Sequence, residues 1–169
     1  DFYYGANDFD LPLGHIQMLG KSDREVIRAG SPLPPPAFAN FALDYVANHA
    51  IDFWLTSEDL PHPDNRVTVE RGGRIRVSYT PNNTEAHERL VRTMKNLVDA
   101  ALPLGLKIGA RMPVAATAHQ CGTIRMGTDP RSSALDSTCR THEVDNLYVV
   151  DASFFPSSAS LNPALTIMA

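Results

Sequence analysis

Two stretches of this sequence hold side chains of the kind that move protons and meet anions. The first is Ala118-His119-Gln120-Cys121-Gly122-Thr123-Ile124-Arg125-Met126-Gly127. The second is Val150-Asp151-Ala152-Ser153, with Asn162-Pro163 beginning eleven residues past Asp151. Histidine has an unperturbed pKa of about 6.5, so a neutral imidazole is available as a base at working pH. Asn before Pro signals a helix start, the amide serving as cap and the ring suiting the first helical position. The N–H groups left unpaired at such a start, with the positive end of the helix dipole, favour nearby negative charge. Each stretch alone is equally compatible with plain structure. A His in a Gly-containing loop is often structural, and an Asp after a strand also opens a turn.

The elements that must hold these residues are read from periodicity. Gly14 to Leu19 and Ile51 to Leu55 read as strands, and the Pro61-His62-Pro63-Asp64-Asn65 turn stops the second. Between them lie a Pro-rich extended connection, Ser31 to Pro36, and a short helix from Phe38 to Ala50. That helix would carry Phe38, Phe41, Ala42, Tyr45, Val46 and His49 on one face. Val67–Glu70 and Ile75–Tyr79 form a hairpin around Arg71-Gly72-Gly73-Arg74, where Gly-Gly supplies positive φ. After Pro81-Asn82-Asn83, with Asn83 or Thr84 as cap, a helix of about 84–102 is the clearest element. Its apolar residues Ala86, Leu90, Val91, Met94, Leu97, Val98, Ala101 and Leu102 recur at helical spacing. Residues 115–140 read as loop. Leu147-Tyr148-Val149-Val150 reads as a strand buried on both faces of a parallel sheet. The expected class is α+β, with the strands at 14–19, 51–57, 67–70 and 75–79 in one mixed or antiparallel sheet covered by helices.

Composition bounds the function. The chain has 169 residues, 43% of them hydrophobic, which is enough for a packed core. A net charge of −4 with interspersed signs gives no basic stripe, so nucleic acid is not an expected partner. No apolar run reaches the roughly 18–20 residues of a membrane span. No signal peptide is visible at Asp1-Phe2-Tyr3-Tyr4, and the cytoplasm is the favoured location. Cys121 and Cys139 form no metal-ligand pattern; they read as two unlinked residues, with a disulfide as the alternative.

Taken together, the motifs resemble the C-terminal signature of the glucose–methanol–choline (GMC) family of FAD oxidoreductases. That signature runs His-x-x-Gly-Thr-x-x-Met-Gly, Asp-Pro, a strand ending Val-Asp-Ala-Ser, and Asn-Pro at a helix start. The likeness is close over 115–169 and moderate over 51–92, where Ser57-Glu58-Asp59-Leu60-Pro61 and Asn65-Arg66-Val67 resemble the family's substrate domain. It implies an FAD-dependent enzyme acting on the CH–OH group of an alcohol, with hydride passing to flavin N5. His119 would be the base at the substrate hydroxyl, and Asn162 would orient the alcohol by hydrogen bonding. Asp151, Ala152, Asn162, Pro163 and Ala164 would contact FAD. Arg125 and Met126 would support the His119 loop, His142 is taken as structural, and His15, His49, His62 and His87 receive no role.

The resemblance also divides the chain. Residues 1–112 would be part of a substrate-binding domain, and 113–169 the catalytic loop and C-terminal segment of an FAD-binding α/β domain. No GxGxxG unit occurs to cradle the ADP part of FAD, and the last helix stops at Ala169. The missing N-terminal portion of the same protein is therefore an expected partner, and the chain alone should bind FAD poorly. Two other classes stay open. One is an FAD-containing lyase resembling the family's hydroxynitrile lyases; the other is an inactive fragment serving as an interaction domain. A serine hydrolase is disfavoured because no G-x-S-x-G elbow appears.

Overall fold

The structure, a computed structural model, describes residues 2–30, 40–105, 107, 109, 111–112, 119–158 and 160–169. The Pro-rich run at 31–36, the expected helix start at Phe38 and the beginning of the 115–140 loop lie outside them. The fold is α+β with antiparallel sheets. The chain divides into two compact units, residues 1–56 with 87–117, and residues 57–86 with 118–169.

In the first unit, β1 (Phe2–Ala6), β2 (Phe9–Met18) and β3 (Phe53–Thr56) form one antiparallel sheet with β2 in the centre. The two-residue turn Asn7-Asp8 joins β1 to β2, Ala6 facing Phe9. The register shifts between Tyr4 and Ala6, leaving residues 10–13 of β2 opposite Gly5 alone. Pro12 falls in that irregularity, where its missing N–H costs no ladder bond. Gly14, which ends it, takes φ 130. Leu13 and Ile16 of β2 pack with Leu90 as the buried core, with Tyr4, Ala6, Phe9, Leu55 and Met94 partly buried against them.

Leu90 belongs to α3 (Thr84–Ala101), which matches the expected helix. Its stripe is narrower than expected: Leu90 is wholly buried, whereas Leu97 is 47% exposed. Arg89 of the same helix sits over the Phe9 ring at 4.8 Å and pairs with Asp8 at 2.9 Å. Two further helices, α1 (Arg24–Gly30) and α2 (Asn40–His49), pack together, with Arg24 bonded to Asp44 at 3.0 Å. The seven-residue α1 was not expected, being shorter than the window over which helical periodicity accumulates. Its start is signalled locally, because the Asp23 carboxylate accepts the Val26 N–H. The face expected of α2 is corrected. Leu43 is the buried residue, and Phe41 and Tyr45 are exposed, the Tyr45 ring stacking on His49.

In the second unit, β4 (Arg66–Val69) and β5 (Ile75–Ser78) form the expected hairpin. Gly72 and Gly73 both take positive φ, and Glu70 and Arg74 close the turn. The expectation of one shared sheet is corrected: β4 and β5 pair with each other as a separate two-stranded sheet. Side-chain amides take over where the ladder ends. The Asn65 amide bonds both the C=O and the N–H of Thr80. Asn82 does the same for Leu60. Asn83, expected as a cap, takes φ 48 and donates its amide to Glu58 O instead.

Residues 119–150 follow no regular element. Leu135 is their one wholly buried side chain, and backbone bonds link its segment to Arg125 and Gly127. The Asp129 carbonyl receives Ser132 and Ser133 N–H groups, and the Asp136 carboxylate receives the Thr138 N–H and hydroxyl. The strand expected at 147–150 is not formed: Tyr148 makes one isolated bridge to Arg140, and Leu147, Tyr148 and Val150 are 50% or more exposed. A strand buried on both faces needs neighbouring strands, and Arg140 supplies one residue of pairing. Cys121 and Cys139 are free thiols. No helix among the described residues is long and apolar enough to cross a membrane.

Three outcomes follow from this packing. Leu90→Ala should lower unfolding stability by about 2–5 kcal/mol, because the cavity opens between a helix and a sheet that cannot both collapse; Val69→Thr, at an exposed site, should change it by less than about 0.5 kcal/mol. Denaturant unfolding of the two variants checks this. Gly127→Ala should cost about 1–3 kcal/mol by the same measurement. A Cβ there would stand 3.0 Å from Ser133 Cβ and 3.2 Å from its hydroxyl, which the Asp129 carbonyl already holds.

The third outcome concerns acid. The hydroxyl and N–H of Thr138 lower the Asp136 pKa from 3.8 to about 2. A carboxyl depressed in the folded state stabilises above its unfolded pKa, and that contribution is lost as pH falls through the folded value. Wild type should therefore melt above Asp136→Asn at pH 5, with the difference closing as pH falls from about 4 to 2. A gap that stays constant over that range would show the carboxylate charge is not used.

Candidate functional site

The chemistry-bearing residues all lie in the second unit, and backbone contacts between distant segments position them. His119 has φ 63, the left-handed region, which costs a non-glycine residue about 1–2 kcal/mol. Such a conformation persists only where its surroundings hold it. One bond reaches it directly, and the others fix the donor of that bond. The Ser158 hydroxyl donates to the His119 carbonyl at 3.2 Å. Ser158 is in turn paired with Asp59 in both directions, Asp59 N to Ser158 O at 3.1 Å and Ser158 N to Asp59 O at 3.0 Å. Next to it, the Ser157 hydroxyl donates to the Glu58 carboxylate.

The loop leaving His119 is fixed at a second point. Ile124 N donates to Ser153 O at 2.9 Å, which brings the loop alongside the turn that begins at Asp151. Gly122 takes φ 78, a left-handed conformation that favours glycine, beside the Phe155 carbonyl. Ala152–Phe154 is a single 3-10 turn, capped by Asp151, whose carboxylate accepts the Ser153 N–H at 2.8 Å and the Ser153 hydroxyl. Those bonds hold the Asp151 pKa below its ordinary value. Asp151 is thus an ionised, exposed cap, and Ala152 is half-buried behind it.

Asn162 is exposed, immediately before Pro163 and the short helix α4 (Ala164–Met168). The structure moves the expected cap by one residue: Pro163, not Asn162, is the N-cap, and no side chain caps the helix. The first helical bond runs from Ile167 N to Pro163 O at 3.0 Å, so the N–H groups of the first turn have no acceptor within the helix. Ser158, which is bonded to the His119 carbonyl, precedes Asn162 by four residues in the chain. The described hydrogen bonds tie the His119 loop to residues 153 and 158.

Burial raises two ionisable groups near Ser158. Desolvation raises the Asp59 carboxyl, opposed by a hydrogen bond from Tyr79. Desolvation also raises the Cys121 thiol, the nearby Asp59 charge adding to it and a Ser158 hydrogen bond opposing it. His142 is structural in its contacts. The one Ser133 hydroxyl proton goes to Asp129 O, so His142 Nε2–H must be the donor both to Ser133 Oγ at 3.1 Å and to Gly127 O at 3.0 Å. Met126 bridges to Leu135 and Arg125 O accepts from Ala134 and Leu135, which stiffens the loop after His119.

Glu58, Asp59, Ser157 and Ser158 were not singled out as site residues in the sequence. The signal was faint: Ser57–Pro61 carried part of the resemblance, and the Ser-rich loop precedes Asn162. Nothing local tells that two segments about a hundred residues apart will exchange backbone hydrogen bonds.

Comparison with known proteins adds an independent line. Residues 61–169 match the C-terminal profile described as GMC oxidoreductase. The chain is similar to a 6'''-hydroxyparomomycin C oxidase of Streptomyces lividus, 34% identical over 66% of this chain and 22% of that protein. It is also similar to a 2-methyl-1,2-propanediol dehydrogenase of Mycolicibacterium austroafricanum, 30% identical over 91% of this chain and 27% of that protein. A fructose dehydrogenase large subunit of Gluconobacter japonicus is 28% identical over 72% of this chain and 24% of its own length. The chain thus spans about a quarter of the length of these relatives. The match covers His119, the Asp151 turn and Asn162, and the chain belongs to the GMC oxidoreductase family.

Proposed function

We propose that the protein containing this chain is an FAD-dependent oxidoreductase that oxidises the CH–OH group of an alcohol. The observation that carries the reading is His119: a non-glycine residue in a left-handed conformation, held by Ser158 beside the Asp151 turn. Backbone strain held by its surroundings recurs at active sites, and here it falls on the histidine of the motif. The named relatives, oxidases and dehydrogenases, support the reaction class. These relatives are named for a paromomycin, a diol and fructose, and another is a long-chain-alcohol oxidase, so an alcohol CH–OH group is what their names have in common.

The residues fit a flavin at Asn162, Pro163 and Ala164, where first-turn N–H groups without helical acceptors suit an electron-rich ring edge. The helix has five residues, so these N–H groups matter more than its dipole. The Asp151 carboxylate is engaged by Ser153 and the Ala152 carbonyl by the Phe155 N–H, so cofactor contact here would fall to the N–H groups of Asp151 and Ala152. FAD, when bound, supplies the hydride acceptor. His119 takes the hydroxyl proton of the substrate as the carbinol C–H bond breaks. Asn162 cannot act as a base; its amide N–H donates to the substrate oxygen and stabilises the developing alkoxide. Residues 1–112 then serve as part of the substrate domain, and 113–169 as the catalytic loop and C-terminal part of an FAD-binding domain. The exposed Leu147, Tyr148 and Val150 offer apolar surface for the remainder of that domain to cover.

The test is anaerobic stopped-flow reduction of the full-length flavoprotein by saturating alcohol, read as flavin bleaching. Wild type should bleach, which an FAD-containing lyase would not. His119→Ala should slow bleaching by about 10²–10⁴-fold, and Asn162→Ala by about 10²–10³-fold. Asn162→His keeps a hydrogen-bond donor and should lose less than Asn162→Ala. His119→Ala reducing at the wild-type rate would falsify the assignment of the base.

A further inference from the structure

We propose that Ser158 is a positioning residue for His119, its backbone locked to Asp59 and its hydroxyl holding the His119 carbonyl in the left-handed conformation. The inference rests on the reading of His119 as the base. Ser158 is where three separate segments meet: 58–59, 119–121 and the loop that leads to Asn162. Its backbone N–H and C=O are both spent on Asp59, so the residue is fixed before its side chain makes any contact. Glu58 adds a second tie through the Ser157 hydroxyl, and the Asn83 amide holds the Glu58 carbonyl. The strand exit after β5 is thereby connected, through 58–59, to the backbone of His119.

Proton counting gives the hydroxyl a direction. A carbonyl has no proton to give, so the Ser158 O–H donates to His119 O and its lone pairs remain free to accept. The Cys121 thiol, two residues beyond His119, is raised above its ordinary value by burial, with the Asp59 charge adding to it and Ser158 opposing it. The bond that matters for His119 is the one from the Ser158 hydroxyl to its carbonyl, at 3.2 Å. The peptide from which the imidazole projects cannot rotate out of φ 63 without giving up that bond.

The experiment is a double-mutant cycle in the full-length flavoprotein, with anaerobic flavin reduction as the readout. Ser158→Ala should slow reduction by about three- to tenfold, the worth of one neutral hydrogen bond, while leaving the alcohol KM nearly unchanged. In the His119→Ala background the same substitution should cost nothing further, because a residue that acts through His119 has nothing left to position. Ser158→Thr keeps the hydroxyl and should recover the rate; Ser158→Val has the shape of Thr without the hydroxyl and should not. That pair decides the matter even where the alanine variant does not fold. Ser158→Val matching Ser158→Thr, or a Ser158→Ala loss that persists in full without His119, overturns the positioning role while leaving His119 as the base. His119→Ala at the wild-type rate is a different result and overturns the base first.

Discussion

The pairing of Asp59 with Ser158 is the constraint on which the rest of the site depends. It is a single two-bond antiparallel bridge, the smallest unit of sheet, yet it closes a loop of about a hundred residues. Closing a loop of that length costs entropy that grows only slowly with length, so one bridge with a few supporting side chains can hold it. The supports are Ser157 on Glu58, Asn83 on the Glu58 carbonyl and Asn82 on both backbone groups of Leu60. With residues 58–60 held in this way, Ser158 has a fixed place, and the His119 carbonyl has a fixed donor.

The second unit consequently works with little regular structure. Asn and Asp side chains take the place of ladder bonds: Asn65 completes the end of the hairpin, Asp136 gathers Thr138 and Arg140, and Asp151 caps a single 3-10 turn. Short polar side chains satisfy backbone groups locally, which permits a loop to stay ordered without a large apolar core. Leu135 is the exception, a wholly buried leucine in the middle of the irregular stretch. The first unit follows the opposite plan, with a twisted antiparallel sheet and a long amphipathic helix meeting at Leu13, Ile16 and Leu90.

The stretch that matches the GMC oxidoreductase family has a distinct local design. The matched residues include the left-handed histidine, the capped turn at 151–154 and the Asn-Pro helix start. His142, by contrast, has its Nε2–H committed to Gly127 O and Ser133 Oγ. Two histidines in the same polar region thus differ in their use: one imidazole clamps a loop, and the other extends from a strained backbone.

Sequence alone determined the elements whose signals are local and repeated. The helix at 84–101, the Gly-Gly hairpin, β3 and the second half of β2 were legible because their signals are written in neighbouring residues, whereas β1 and the start of β2 were not. The order of short motifs from His119 to Asn162 was legible for the same reason, and it carried the family. Tertiary structure alone decided what depends on partners far along the chain. Leu147–Val150 has a strand's composition and no strand's partners, so it stays exposed. Asn83 stands where a cap would serve and turns to Glu58 instead. Whether β4 and β5 join another sheet, and which serine meets His119, are questions of distance between remote segments, and a hydrogen bond between them leaves no period in the sequence.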